Sequence, residues 1–189
     1  MSGISTDALA GRLLIATPSM QDPNFAKSVI LVCEHNADGA LGLAVNRKLP
    51  LQLGQVLSRL DLPVSIPEFK TTPLFSGGPV QGERGFVLHD SPGMNDDSLA
   101  LGDSLAVSAS EAVLATIAEG AGPRRFMLML GYSGWGAGQL EQEFADNAWL
   151  AVPATPQLIF ETAVEERWHQ AAALIGLDLA RFSTQIGHA

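Results

Sequence analysis

Short apolar runs separated by turn residues dominate the chain. Gly11-Arg-Leu-Leu-Ile-Ala16 forms the first run and closes at Thr17-Pro18. Asp22-Pro23-Asn24 marks a second turn, followed by the uninterrupted run Ser28-Val-Ile-Leu-Val-Cys33. Its apolar and β-branched positions predict a strand buried on both faces. Asn36-Ala-Asp-Gly39 predicts a tight turn into Ala40-Leu-Gly-Leu-Ala-Val-Asn46, so the two runs pair as a hairpin. Leu53, Val56, Leu57 and Leu60 recur at helical spacing and predict a short amphipathic helix.

Residues 62–73 are proline-rich and read as irregular, Ser76-Gly-Gly-Pro-Val80 as a turn, and Gly85-Phe-Val-Leu-His-Asp90 as a strand. The acidic stretch Ser91 to Asp103 reads as a surface excursion with a short strand near Leu99. Ser108-x-x-Glu111 has the form of a capping box opening a helix with Ala112, Val113 and Ile117 on one face. Gly120 and Pro123 end that helix, and Arg125 to Leu130 follows as a central strand. This strand is expected to stop in a turn built from Gly131, Gly134, Gly136 and Gly138, which then enters a helix from Gln139 to Phe144. A strand at Ala148-Trp-Leu-Ala-Val152 and a last helix from Thr162 to Gly176 complete the reading, with Val164, Trp168, Ala171 and Ile175 on one helix face. Hairpins and helices mix without strict βαβ alternation, so the class is α+β, in one domain spanning 1–189.

Composition narrows the function. The 189 residues are 47% hydrophobic and 16% charged, a globular profile able to build a core without disulfides. The lone cysteine, Cys33, sits inside an apolar run and reads as a core thiol; it excludes an intrachain disulfide or a multi-cysteine metal site. A net charge of −9, with Arg47-Lys48 and Arg124-Arg125 as the adjacent basic pairs, argues against direct nucleic-acid binding. The first ten residues lack the basic and long apolar regions of a signal peptide, and no apolar run reaches the length of a membrane span. A cytoplasmic protein with no membrane association is the expectation.

No complete catalytic constellation stands out, and no cofactor or metal site is predicted. Gly134-x-Gly136-x-Gly138 lacks the spacing of a dinucleotide fingerprint, and Gln139-Leu140 stands where a phosphate loop needs Lys-Ser/Thr. Glu141 and Glu143 already answer the positive end of the following helix. Gly131-Tyr-Ser133-Gly-Trp135 resembles a nucleophile elbow, but tryptophan replaces its last glycine. A Ser133, Asp146 and His169 trio is one reading; a turn serine bonding to local backbone is the other, and the one we adopt. Glu34-His35 and His89-Asp90 fall at strand ends, where they either converge in space or act as separate polar caps; we read them as caps. Ser76-Gly-Gly-Pro79 and Asn46-Arg47 read as a hairpin corner and a structural salt bridge, or as parts of a ligand site that anchors a carboxylate or phosphate. If strand ends and glycine turns converge on one ligand pocket, its lining is expected to be His35, Asn46, Arg47, Gly77, Gly78, His89, Trp135 and Gln139.

Several ordered blocks carry a resemblance: Leu13-Leu-Ile-Ala-Thr-Pro18, Asp22-Pro-Asn-Phe25, His35 with Gly39-Ala40 and Gly42, and Asn46-Arg47. Gly77-Gly-Pro-Val80, Phe86-Val-Leu-His89, Gly131-Tyr132 with Gly134-Trp135, and Gln139-Leu-Glu141 with Glu143 continue it. Asn147-x-Trp149, Phe160, Trp168 and Gly187-His-Ala189 close it. Together they resemble the AlgH/YqgE family of bacterial proteins, nearly end to end. The resemblance implies a bent, barrel-like mixed β-sheet surrounded by helices, and it implies no catalytic mechanism. Similar proteins commonly carry alanine at the Ser133 position, which speaks against a nucleophile; Lys48 departs from the proline usual after the Asn-Arg pair. The expectation is a non-enzymatic interaction or indirect regulatory module with a protein partner. The alternative is a small-molecule ligand bound or turned over at strand ends, and the third reading is a DNA-binding regulator. Oligomeric state is not legible in the sequence.

Overall fold

The computed structural model describes residues 9–93, 97–109 and 111–177. The expected hairpin forms from β2 (Val29–Asn36) and β3 (Gly39–Ala44), and β2 pairs on its other edge with β1 (Arg12–Ala16). Both faces of this trio are apolar because both are covered. Leu13, Ile15, Leu31, Leu43 and Val45 enter the central core, while Leu14, Ala16, Ile30, Val32 and Ala44 pack against Trp135 and Trp149. That is the physical cause of the uninterrupted apolar runs.

The long strand β9 (Phe126–Gly136) organises the rest. Along one edge it pairs with β6 (Val80–His89); along the other it pairs in parallel with β5 (Pro73–Ser76) at Met129–Leu130 and antiparallel with β3 at Ser133–Gly136. Two further strands extend the β6 side, β8 (Leu105–Ser108) and then β7 (Ser98–Leu101). β10 (Trp149–Pro153) closes the β1 edge, and β4 (Lys48–Gln52) pairs with β5. The result is one curled sheet with a single parallel pairing, a half-barrel of α+β class as expected.

Four helices cover it among the described residues: α1 (Leu53–Arg59), α2 (Glu111–Ala118), α3 (Gln139–Ala145) and α4 (Arg167–Ala173). Side-chain alternation on β6 and β9 sends Phe86, Leu88, Met127 and Met129 into the central core closed by α4, and Val87 and Leu128 into a third cluster under α1 and α2. α4 is held by Arg167, whose buried guanidinium donates to the carbonyls of Val45 and Thr162, and by Trp168 Nε1, which donates to Ala16 O at 2.8 Å. Burial without a carboxylate partner lowers the Arg167 pKa to about 10.

Several expectations are corrected. The glycine-rich stretch is not a turn: β9 runs through Gly136, and only Gly138, with a left-handed backbone (φ 72°), caps α3. Gly131 is instead the fork where β9 passes from β5 to β3 and where Gly77 crosses it. A Cβ on Gly77 would lie 2.3 Å from the Gly131 carbonyl oxygen. Gly77 and Gly131 are there for close approach of backbones rather than for chain reversal, whereas a Cβ on Gly134 or Gly136 would meet only ordinary side-chain contacts. Ser108 does not cap α2; it belongs to β8, and its hydroxyl faces Ser98 and His89. The last helix, expected from Thr162 to Gly176, is a 3-10 turn at Val164–Glu166 followed by α4, and an unanticipated π-type turn at Gln157–Glu161 precedes it. β4, β5 and β8 were not anticipated.

Candidate functional site

The α3 corner holds three of the expected pocket residues, and its polar groups are turned inward. His35 Nε2 lies 2.6 Å from Glu141 Oε1. Glu141 is held below the ordinary carboxylate range by its own backbone amide and by His35. Trp135 and Trp149 each donate their indole N–H to the same Glu143 Oε2 at 2.8 Å. Gln139 bridges this arrangement, accepting from Gly136 N at 2.9 Å and donating to Glu143 Oε1 at 3.2 Å. Phe25 completes the corner, stacking on Trp135 at 6.3 Å and meeting Trp149 edge-on at 5.9 Å. A separate cavity of about 210 Å³ touches Trp135, with Glu34 and Asp38 at its mouth.

Asn46 and Arg47 lie together at the end of β3 and pin the loop that carries Phe25. Asn46 accepts from Val29 N at 3.0 Å and donates to Lys27 O at 2.9 Å. Arg47 donates to Pro23 O at 3.1 Å and to Ala26 O at 2.9 Å. Burial lowers the Arg47 pKa, and the charge of Asp22 opposes that shift. Gly77 and Gly78 sit over the fork in β9, where Gly77 O accepts from Ala44 N at 2.8 Å and from Ser133 Oγ at 3.1 Å. Ser133 is fully buried in that bond and Asp146 accepts from Gln142, while exposed His169 lies on α4; the hydrolase trio is not assembled.

His89 is elsewhere. It pairs with Phe126 at the start of β9, whereas Trp135 is near that strand's other end, about 30 Å away at ~3.3 Å per residue. The two histidine sites therefore do not converge. His89 is fully buried; Nδ1 accepts from Ser91 N at 3.3 Å, so a neutral ring carries its proton on Nε2 and donates to Ser108 Oγ at 3.1 Å. In that tautomer the ring cannot take a proton from Ser108. Desolvation lowers its pKa, partly offset by Asp90. The eight expected residues are thus divided among the α3 corner, the Asn46–Arg47 anchor, the glycine fork and the His89 end, rather than lining one pocket. Cys33 is a core thiol as read, with its pKa pushed up to about 12 by burial and then by Glu34.

Two cavities offer accessible chemistry. The first, about 390 Å³, lies between the Pro23–Lys27 loop and α4. Asn46 and Arg47 line it, joined by Trp168 and His169, which the sequence reading places in other roles, by Lys27, which it does not single out, and by Glu165. One usable signal was present: Lys27 is among only eleven Lys and Arg residues, and it follows the Asp22-Pro-Asn-Phe25 block after Ala26. The second is an apolar groove of about 260 Å³ between α1 and α2. Its floor is Gly85, Val87, Leu128 and Leu130, its walls include Val56, Leu60 and Leu114, and Glu83 and Glu111 stand on its rim.

Comparison with known proteins agrees with the fold. Residues 13–180 match the model of a family described as AlgH-like. A UPF0301 protein of Cupriavidus pinatubonensis is 48% identical over 96% of this chain and 95% of its own length. A UPF0301 protein of Nitrosococcus oceani is 47% identical over 93% of this chain and 94% of its own. The solution structure of the AlgH protein from Pseudomonas aeruginosa superposes with a TM-score of 0.78 at 45% identity, covering 100% of both chains. A crystal structure of protein DIP2367 from Corynebacterium diphtheriae shares the fold, with a TM-score of 0.74 at 24% identity over 90% of this chain and 89% of its own.

Proposed function

The chain belongs to the AlgH-like family, and from that premise we propose that it is a non-catalytic docking module whose groove between α1 and α2 receives a basic amphipathic helix of a partner protein. The observation that carries this reading is the groove's composition. Seven of its lining residues are Val56, Leu60, Gly85, Val87, Leu114, Leu128 and Leu130; the charged ones are Glu83 and Glu111, with no cation among the lining. An apolar floor between two helices suits side chains at i, i+3, i+4 and i+7 of a third helix. Gly85 leaves a notch in that floor: a Cβ there would still stand 4.0 Å from its nearest neighbours, the Leu128 and Leu130 side chains. The acidic rim, on a chain of net charge −9, selects for basic residues flanking the apolar stripe and speeds encounter with them. Leu60 is 37% exposed at the groove wall, a large apolar side chain left uncovered where a partner would seat.

The test is amide chemical-shift mapping with a synthetic Leu/Lys helix whose leucines follow that spacing. Shifts are expected to cluster at Gly85, Leu114, Leu128 and Leu130. Leu60→Arg should weaken binding about tenfold, the loss of one apolar anchor, while Glu83→Lys and Glu111→Lys should weaken it less and mainly at low salt. Shifts spread over the acidic surface, with equal affinity for the Leu60→Arg variant, would sink the proposal.

A further inference from the structure

We infer that the cavity beside α4 is a binding site for a small organic anion with a planar apolar body, distinct from the groove and independent of its role. The first support is charge. In a chain with twenty acidic and eleven basic residues, Lys27 and Arg47 line one cavity against a single lining carboxylate, Glu165, with the His169 ring beside them as a further polar group. That carboxylate is drawn toward Lys48, 3.8 Å away. Asp22 acts on Arg47 from the side, and the Arg47 pKa is still lowered by its partial burial, so an anion brought to this guanidinium would offset its desolvation. Lys27 makes no ion pair among the described residues.

The second support is shape. Trp168 gives the cavity an aromatic wall; Lys27 Nζ stands 5.9 Å from its ring centre, and the His169 ring meets it at 5.2 Å and 65°. Pro23, Ala26 and Val164 add apolar surface. A volume of about 390 Å³ lies within the range of small-molecule pockets, ~300–1,000 Å³. The wall suits a flat ring, and the cations suit a carboxylate or phosphate attached to it.

The third is rigidity of the frame. Arg47 spends two N–H groups on the Pro23 and Ala26 carbonyls and Asn46 bonds Lys27 O, so the loop is fixed while further guanidinium donors remain. Trp168 is anchored through Ala16 O and the neighbouring Arg167 through Val45 O. Lys27 itself has a left-handed backbone (φ 59°), a conformation unfavourable for lysine that this frame imposes. The site is therefore formed before any ligand arrives, which lowers the cost of binding.

The indole N–H signals of the three tryptophans provide the test, because Trp135 and Trp149 are both tied to Glu143 and only Trp168 lines this cavity. The probes are adenosine monophosphate, benzoate and inorganic phosphate, titrated into the full chain. At least one organic anion is expected to move the Trp168 signal and leave the other two in place; which one does so separates a phosphate from a carboxylate ligand. Lys27→Asn removes the charge while keeping a residue that tolerates the left-handed backbone, and should weaken that binding about tenfold. No movement with either organic probe, or movement unchanged in Lys27→Asn, would overturn the site. Inorganic phosphate binding as tightly as either organic anion would overturn the planar-body assignment.

Discussion

The α3 corner and the cavity beside α4 use similar side chains to opposite ends. In the corner, Trp135, Trp149, Gln139 and Glu143 spend their polar atoms on one another, and His35 spends its Nε2 on Glu141. Beside α4, Trp168 and Arg47 also serve the frame, but Lys27 and His169 line a cavity, and Lys27 has no carboxylate partner among the described residues. The corner draws on one dense motif, whereas the cavity draws on short blocks far apart in the chain: Pro23 of Asp22-Pro-Asn-Phe25, Asn46-Arg47 and Trp168. The difference teaches that a dense local motif here records how many internal bonds must be satisfied. A place for a ligand arises instead where distant segments leave charges unspent.

Removing the centre of the corner should break the comparison most visibly. Glu143→Ala leaves two indole N–H groups without their acceptor; at ~1.5–3 kcal/mol for each bond to a charged group, about 3–6 kcal/mol of stability is expected to disappear, measured by urea unfolding. Gly77→Ala drives a methyl against the Gly131 carbonyl and should cost about 3 kcal/mol in the same assay, showing that the glycines serve strand crossing. A result near zero for either would mean that the motif is not structural.

A smaller, pH-dependent effect sharpens the contrast at the His89 end. Its folded pKa lies below the ordinary 6.5, so above that value both folded and unfolded states hold the ring neutral and its contribution is complete. As pH falls below 6.5 the unfolded chain binds a proton that the folded chain resists, and stability is lost until pH passes the folded pKa. Unfolding midpoints of the parent chain should decline between pH 7 and 5, and His89→Gln should flatten that decline. The smallest expected effect is in the cavity. Lys27→Asn should change stability by less than about 0.5 kcal/mol while altering anion binding, the signature of a residue that the fold does not need.

Much of the architecture was legible because it is local. The apolar runs at Leu13–Ala16 and Val29–Cys33 are covered strands as read, Cys33 is core, and Leu53, Val56 and Leu57 share one helix face, whereas Leu60, expected with them, caps the end of α1 and stays exposed. Ser133 does bond to backbone, but from inside β9 and to Gly77, which is distant in the chain; Asn46 and Arg47 are structural, but through carbonyls and an amide of the Pro23–Val29 segment rather than through the expected salt bridge. The glycine stretch misled because glycine relaxes the backbone in a turn and clears space in a crossing, and sequence does not distinguish the two. Ser108 misled because its spacing to Glu111 matched a cap, while His89 and Ser98 claimed its hydroxyl across the sheet.

By itself the sequence determined the α+β class, the apolar strands β1 and β2 with their buried side chains, and the family, since these follow from periodicity and from blocks of contiguous residues. Only the tertiary structure decided that β9 forks between β5 and β3, that the expected pocket residues part company, and that Lys27 meets Trp168 and His169. Those outcomes depend on pairings between residues far apart in the chain, whose register is chosen by how the whole sheet curls and buries its faces.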